Sequence, residues 1–290
     1  MQLLLMRLER QTAVIDAFRQ LPPQTMTRKA LGEYLGTRRA ALKVPKSFGV
    51  DDLVDLLREN DVLKIAEISS QEYGSKSRYA FGAISPLQLA CSFYKGSFLS
   101  HGTALYLHGL TPLHTIFVNH EQSPKNSTSR LTQAGLNNAF KNSQRQSTYV
   151  FRYGTSTITF LNGKNTGGAG LMEMQAPDGE RLTTTSLERT LIDIVVRPQY
   201  AGGIRNVVSA FRQAQDRISV AEIARLLAEM KYVYPYHQAL GFLLERAGIS
   251  AEELAPLKLR AIRFKFYLDY EMDQPAYDAL WKLFYPSNLP

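Results

Sequence analysis

The stretch Val62-Leu63-Lys64-Ile65-Ala66-Glu67-Ile68 alternates as a half-buried strand does, and Ser77-Arg78-Tyr79-Ala80-Phe81 is placed to return antiparallel to it. Between them lies a polar tip, residues 69–76, in which Gly74 helps the turn. Upstream, residues 3–20 read as an amphipathic helix, with Val14, Ile15 and Phe18 at helical intervals, stopped by Pro22-Pro23. Thr27 is placed to cap a short second helix whose Ala30, Leu31, Tyr34 and Leu35 share one side and which Gly36 ends. A basic connector, residues 37–49, leads to a third helix over 51–60. There Leu53, Val54, Leu56 and Leu57 form the buried side, and Asp51 and Asp52 sit at the positive end of the dipole. Three helices and then a two-stranded hairpin predict a winged helix-turn-helix over residues 1–83, a fold that places one helix in the DNA major groove and the hairpin beside the phosphates.

Residues 84–290 predict a second domain of mixed character. Short helices are expected at 86–94 and 102–108, and strands at 115–118, 147–153 and 157–161. The Asn-, Gln- and Ser-rich piece 122–146 is either a long loop or a polar insertion around one helix at 134–142. From Thr185 the pattern turns helical, at 186–195, 202–214, 220–230, 236–247 and 276–284. The fold class expected is therefore α+β: an N-terminal winged helix-turn-helix followed by a mixed α/β domain with a helical C-terminal half.

At 290 residues, two domains of unequal size are the natural expectation. The single cysteine, Cys91, rules out an intramolecular disulfide and a thiolate metal cluster, and points to a reducing compartment such as the cytoplasm. No apolar run approaches the roughly 20 residues needed to cross a bilayer, and no membrane partner is expected. The net charge of +8 favours an acidic partner. Its distribution says more than its sum. Residues 36–50 carry Arg38, Arg39, Lys43 and Lys46 without an acid. Between Glu121 and Glu173 there is again no acid, while Lys125, Arg130, Lys141, Arg145, Arg152 and Lys164 fall there.

Four of the five histidines lie between Ser100 and His120. His101 and His108 are two helical turns apart, roughly 10 Å, too far to share a metal, and no H-E-x-x-H arrangement is present. Structural roles fit better: Ser100 as a cap, His108 in the last turn against the dipole, and Gly109 in the left-handed position that ends the helix. No metal site and no cofactor are expected.

Ser-His-x-x-Ala-Leu-x-Leu-His-Gly-Leu-Thr at 100–111, followed by the strand 115–118, resembles the signature of the AbiEi antitoxins of bacterial type IV toxin–antitoxin (abortive-infection) systems. Two later blocks agree in order and spacing. Thr185-Ser186-Leu187-Glu188-Arg189-Thr190-Leu191-Ile192-Asp193-Ile194 is similar to that family's E-R-T-L-hydrophobic-D segment, and His237-Gln238-Ala239-Leu240-Gly241-Phe242-Leu243-Leu244-Glu245 to its R-L-G-hydrophobic-L-L-E helix.

The resemblance implies a two-domain antitoxin and no enzymatic activity. The winged helix would bind inverted operator repeats in double-stranded DNA and repress its own operon, as a monomer or weak dimer acting cooperatively. The domain 84–290 would neutralise a cognate nucleotidyltransferase-like toxin, by direct contact or otherwise. The third helix carries Asp51, Asp52, Asp55 and Glu59 on its outer side, where they repel phosphates. DNA contact is therefore expected from Arg38, Arg39, Lys43 and Lys46 of the connector, assisted by Lys64, Lys76 and Arg78 of the hairpin. The acid-free group Lys125, Arg130, Lys141, Arg145, Arg152 and Lys164 is the candidate for holding an acidic toxin surface or adding phosphate contacts.

Within the second block, Arg189 and Asp193 are four apart on a helix and can pair, more in the manner of a structural clamp than of a catalytic dyad. Residues 162–168, Asn-Gly-Lys-Asn-Thr-Gly-Gly, lack the G-K-[ST] order of a phosphate-binding loop and read as a hairpin or surface loop. Two other functions stay open: a DNA-binding regulator without a toxin partner, and a restriction-like nuclease. The nuclease needs a metal-binding acid with E-x-K on adjoining strands. The one candidate, Glu229-Met230-Lys231 with Asp216 upstream, sits instead at the end of a helical stretch.

Overall fold

The computed structural model describes residues 2–122, 130–176 and 179–290. It has two compact units, one formed by the chain up to Phe93 together with Phe151–Ser156, the other by Tyr94–Val150 and Thr157–Pro290. The fold class is α+β.

The first unit runs α1 (Gln2–Arg19), β1 (Gln24–Met26), α2 (Arg28–Arg38), α3 (Val50–Glu59), β2 (Leu63–Ser70), β3 (Gly74–Phe81) and α4 (Pro86–Cys91). Val14, Phe18, Leu31, Leu35, Leu53, Leu57 and Phe81 are its buried heart, with the Phe18 ring 4.9 Å from that of Tyr34 and 5.4 Å from that of Phe81. The Thr27 hydroxyl accepts from the Ala30 amide at 3.1 Å and starts α2 as expected. At the head of α3, Asp52 accepts from the Gly49 amide at 2.7 Å, while both carboxylate oxygens of Asp51 accept from Arg28, at 2.6 and 2.8 Å.

The hairpin is longer than its hydropathy predicts. Pairing continues from Leu63↔Phe81 to Ser70↔Gly74, so the expected eight-residue tip shrinks to residues 71–73. Ser69, Ser70 and Ser75 are polar whichever face they take, so alternation falls silent there while the backbone ladder continues. The short β1 adds antiparallel to the free edge of β3, Gln24↔Phe81 to Met26↔Tyr79. Near the tip, Ser69 of β2 pairs with Arg152 of a later strand, Val150–Tyr153.

The second unit holds β4 (Phe98–Leu99), α5 (His101–Leu107), β5 (Thr115–Gln122) and α6 (Gln133–Lys141). After β6, the Val150–Tyr153 strand, come β7 (Ser156–Lys164), β8 (Leu171–Gln175) and β9 (Arg181–Thr185). Strands β5 and β7 are parallel, as are β4 and β9, and β4–β5 and β8–β9 are antiparallel. Helices α7 (Leu187–Val196), α8 (Ile204–Ala214), α9 (Val220–Met230), α10 (Tyr236–Arg246) and α11 (Ala255–Lys258) follow, then β10 (Phe266–Tyr267), β11 (Ala276–Asp278) and β12 (Leu283–Tyr285). Leu191, Ile194, Val207, Phe211, Ile223, Leu226, Leu240 and Leu244 form the core between these helices.

One expected element is corrected: residues 276–284 form no helix but the strands β11 and β12, paired antiparallel. Tyr277 and Phe284 face each other across that pair, ring centroids 4.9 Å apart. Between the strands, Asp278 caps the Trp281 amide at 2.7 Å and Lys282 takes a positive φ of 48°, which delivers the indole of Trp281 inward, fully buried. Among the described residues no helix is long and apolar enough to cross a membrane.

Candidate functional site

The four connector cations do not share one environment. Arg38, at the end of α2, is exposed with its guanidinium 4.7 Å from the Tyr34 ring centroid. Arg39 turns back over the connector and donates to the carbonyls of Pro45, at 2.5 Å, and Phe48, at 2.9 Å. Its charge thereby organises the loop that also buries Leu42. Lys43, in the left-handed region at φ 53°, and Lys46 both project exposed from that organised loop. The acidic side chains of α3, Asp51, Asp52, Asp55 and Glu59, are exposed as well, and Asp51 is paired with Arg28.

On the hairpin, the register puts Lys64 opposite Ala80, Ala66 opposite Arg78, and Ile68 opposite Lys76. Residues opposite one another in an antiparallel pair point to the same face, so Lys64, Lys76 and Arg78 share a face with buried Ala66, Ile68 and Ala80. Lys64 is exposed and Lys76 half-buried. Arg78 is committed internally. It donates to the carbonyl of Ser92 at 3.1 and 3.2 Å and to that of Phe93 at 3.1 Å, with its guanidinium 4.4 Å from the Phe93 ring centroid.

The second basic group divides similarly. Arg152 belongs with the first unit, exposed beside Ser69 near the hairpin tip. Arg130, Lys141 and Arg145 are exposed on the second unit. Lys164, half-buried at the end of β7, donates to the carbonyl of Lys231 at 2.5 Å and lies 5.5 Å from the Tyr232 ring centroid. Lys125 lies outside the described residues.

The second unit has a buried polar centre of its own. Arg189, 2% exposed, donates to Asp193 at 2.9 Å, to the Thr166 hydroxyl at 2.9 Å, to the Ala169 carbonyl at 2.5 Å and to Glu121 at 3.4 Å. The 162–168 stretch starts as the end of β7 and then turns to cradle an anion, but the occupant is the chain's own Glu121. That carboxylate accepts from the Thr166 amide at 2.9 Å, the Gly168 amide at 3.2 Å and the Thr166 hydroxyl. Burial works against ionising Glu121, yet these donors and Arg189 hold it below the usual carboxylate range. Burial likewise opposes the charge of Arg189, and Asp193 leads the groups that keep it raised.

His101 lies close to the same charges. Burial, opposed in part by Asp193 and aided by Arg189 and Arg197, lowers it to about 4, so the imidazole is neutral near pH 7. Its Nδ1 is 2.8 Å from the Ser100 hydroxyl. That hydroxyl makes no cap bond to α5, so the expected role of Ser100 is corrected. His108 also differs from expectation. Burial lowers its pKa, and its Nε2 bonds the Thr185 carbonyl at 2.9 Å, so it ties α5 to the end of β9 as a neutral donor and not as a charge on the dipole. Gly109 takes φ 75°, as the end of that helix requires.

The three sequence blocks thus converge. Ser100–Thr111 meets Thr185 through His108, and Arg189 and Asp193 lock α7 to the 166–169 loop and β5. In the third block, Gln238 donates to the carbonyls of Trp281 at 2.6 Å and Phe264 at 3.0 Å, and Glu245 accepts from the Trp281 indole at 2.8 Å. Arg189 and Asp193 are 2% and 3% exposed and Glu121 is partly exposed at the edge of the cluster, which holds these elements together. Sequence reasoning found the Arg189–Asp193 pair but missed Glu121 and Thr166. The signal was present in Glu121, the last acid before a long acid-free run. The Glu229-Met230-Lys231 triplet is the end of α9: Glu229 pairs with Arg225 at 2.7 Å, Met230 is buried and Lys231 closes the helix at φ 48°. No group of three metal-ligating side chains occurs among the described residues.

Fold and site together define an α+β protein whose best-defined polar centre is architectural. No family model matches the sequence, and no curated protein does. Among solved structures, the chain is similar to the crystal structure of the RV2827C protein from Mycobacterium tuberculosis, at 17% identity and a TM-score of 0.55, covering 96% of this chain and 91% of that one. The likeness is one of fold.

Proposed function

We propose that the chain is an antitoxin-type repressor: its first unit is a winged helix that binds operator DNA, and its second unit neutralises a nucleotidyltransferase-like toxin in the cytoplasm. The observation that carries this reading is the order helix, strand, helix, helix, hairpin, with β1 closing on β3 to make the three-stranded β1-β3-β2 arrangement beneath the three helices. That order supports the winged-helix reading. The resemblance of the 100–111, 185–194 and 237–245 blocks to AbiEi antitoxins supplies the toxin half. In this reading Arg38, Lys43 and Lys46 contact phosphates from the ordered connector, Lys64, Lys76 and Arg152 add contacts from the hairpin side, and Arg39 and Arg78 hold the framework. The carboxylates of α3 keep that helix from docking on charge alone, so specificity is set by base edges or DNA shape. Inverted repeats need two copies, brought together on the DNA.

A promoter reporter and a co-expression assay test the two halves separately. The chain should repress its own upstream region, and it should restore growth when the adjacent gene, expressed alone, is toxic. Repression with a harmless neighbour would leave a simple regulator, and absence of repression would remove the DNA-binding half.

A further inference from the structure

Within the second unit, the turn leading into α10 and the segment 260–264 border an open cavity of about 330 Å³. Tyr232, Tyr234 and Phe264 contribute aromatic walls, and Arg260 and Arg263 are the cations that line it. No carboxylate among the described residues does. His237 also lines the cavity, 9% exposed, and its Nε2 is buried without a hydrogen-bond partner among the described residues.

A buried polar atom with no partner is costly, and native proteins rarely tolerate one without a reason. His237 is also neutral near pH 7, because burial and the nearby Arg260 lower it to about 4. It can therefore donate or accept one hydrogen bond but brings no positive charge. The charge comes from the arginines. Residues 254–268 contain Lys258, Arg260, Arg263 and Lys265 and no acid. Arg260 directs one N–H to the Ala224 carbonyl at 2.9 Å, and none of the ion pairs among the described residues involves Arg260 or Arg263. Arg263 is exposed.

Each feature restricts the occupant. Two arginines without a carboxylate select an anion. Aromatic walls favour a flat ring over a bare inorganic ion. The volume lies near the lower end of the roughly 300–1,000 Å³ typical of ligand sites, so the ligand is small. We propose that this cavity binds a small planar anion, an aromatic or heterocyclic ring carrying a carboxylate or phosphate, with the anionic group at Arg260 and Arg263 and the ring against Tyr232, Tyr234 and Phe264. This inference does not rest on the antitoxin reading and stands or falls without it.

Calorimetric titration of the full chain tests it with four probes: 4-hydroxybenzoate, uridine monophosphate, uridine and inorganic phosphate. Saturable binding is expected for at least one of the two ring anions, and which one saturates identifies the carboxylate or the nucleotide source. Arg263→Ala, a change at an exposed position, should weaken that binding about tenfold or more while leaving the melting temperature unchanged. The proposal is overturned if neither ring anion saturates at millimolar concentration, if inorganic phosphate alone binds as tightly as they do, or if Arg263→Ala binds with unaltered affinity.

Discussion

Gly241 on α10 and Trp281, between β11 and β12, are in such close apposition that a Cβ at position 241 would lie 2.2 Å from the indole ring. Glycine is needed there for space, not for backbone freedom. Together with Gln238 and Glu245, which bond the Trp281 carbonyl and indole, it fastens the last stretch of the chain to the helical core.

Gly241→Ala should therefore destabilise the protein by roughly 1–3 kcal/mol, the usual range for overpacking. It should also shift the emission of Trp281, the sole tryptophan. Denaturant titration followed by fluorescence reads both. Gly36→Ala serves as the control: the site is helical and a Cβ there meets nothing within 4 Å, so the change should stabilise slightly.

Arg189 offers a larger effect. Removing one partner of a buried ion pair typically costs about 3–5 kcal/mol because the remaining charge is stranded. Arg189→Met leaves Asp193 and Glu121 in that position, so the unfolding midpoint should fall steeply. Combining it with Asp193→Asn should recover part of the loss. A loss in the double variant equal to the sum of the two single losses would mean that the two residues are not coupled in the folded protein.

His101 contributes to the acid sensitivity, alongside His237 and His108, whose pKa values burial also lowers. The folded pKa of His101, about 4, lies below the ordinary value of 6.5, so the unfolded chain binds the extra proton between these values. The stability linked to neutral His101 is complete above about pH 6.5 and is lost as pH falls towards 4, at up to roughly 1.4 kcal/mol per pH unit. His101→Asn, compatible with the positive φ of 52° at that position, should flatten the stability profile between pH 6.5 and 4 relative to the unaltered chain. An unchanged slope would show that His101 titrates normally.

Much of this was legible in sequence wherever apolar period and caps coincide. Thr27, the leucines of α3 and the Arg189–Asp193 spacing led to the right elements and pairing. Short strands escaped, because β1, β4 and β10 have too few residues to show a period and exist by pairing with distant partners such as Phe81 and Leu283. The misread helix at 276–284 has the same cause: aromatic residues suit either state, and the contact that decides, Gly241 with Trp281, is long-range. Cation chemistry was visible but its use was not. Lys43 and Arg78 are alike in sequence, and only the neighbouring carbonyls of Ser92 and Phe93 make Arg78 a strut.

That distinction separates the cations experimentally. Arg78→Ala should lower the stability of the first unit by roughly 1–3 kcal/mol through the unsatisfied carbonyls it leaves. Lys46→Ala should leave stability within about 0.5 kcal/mol and act on DNA binding alone. Circular dichroism melts beside binding isotherms resolve the two effects.

The most direct test of the central claim is the salt dependence of binding to a duplex from the region upstream of the gene. With Arg38, Lys43, Lys46, Lys64 and Arg152 engaging phosphates, log K should fall linearly with log salt with a slope of roughly −3 to −5, about 0.9 per phosphate. Alanine at Arg38, Lys43 and Lys46 together should make that slope shallower by about 2 to 3. A flat salt response, or the same slope in the triple variant, would contradict the account.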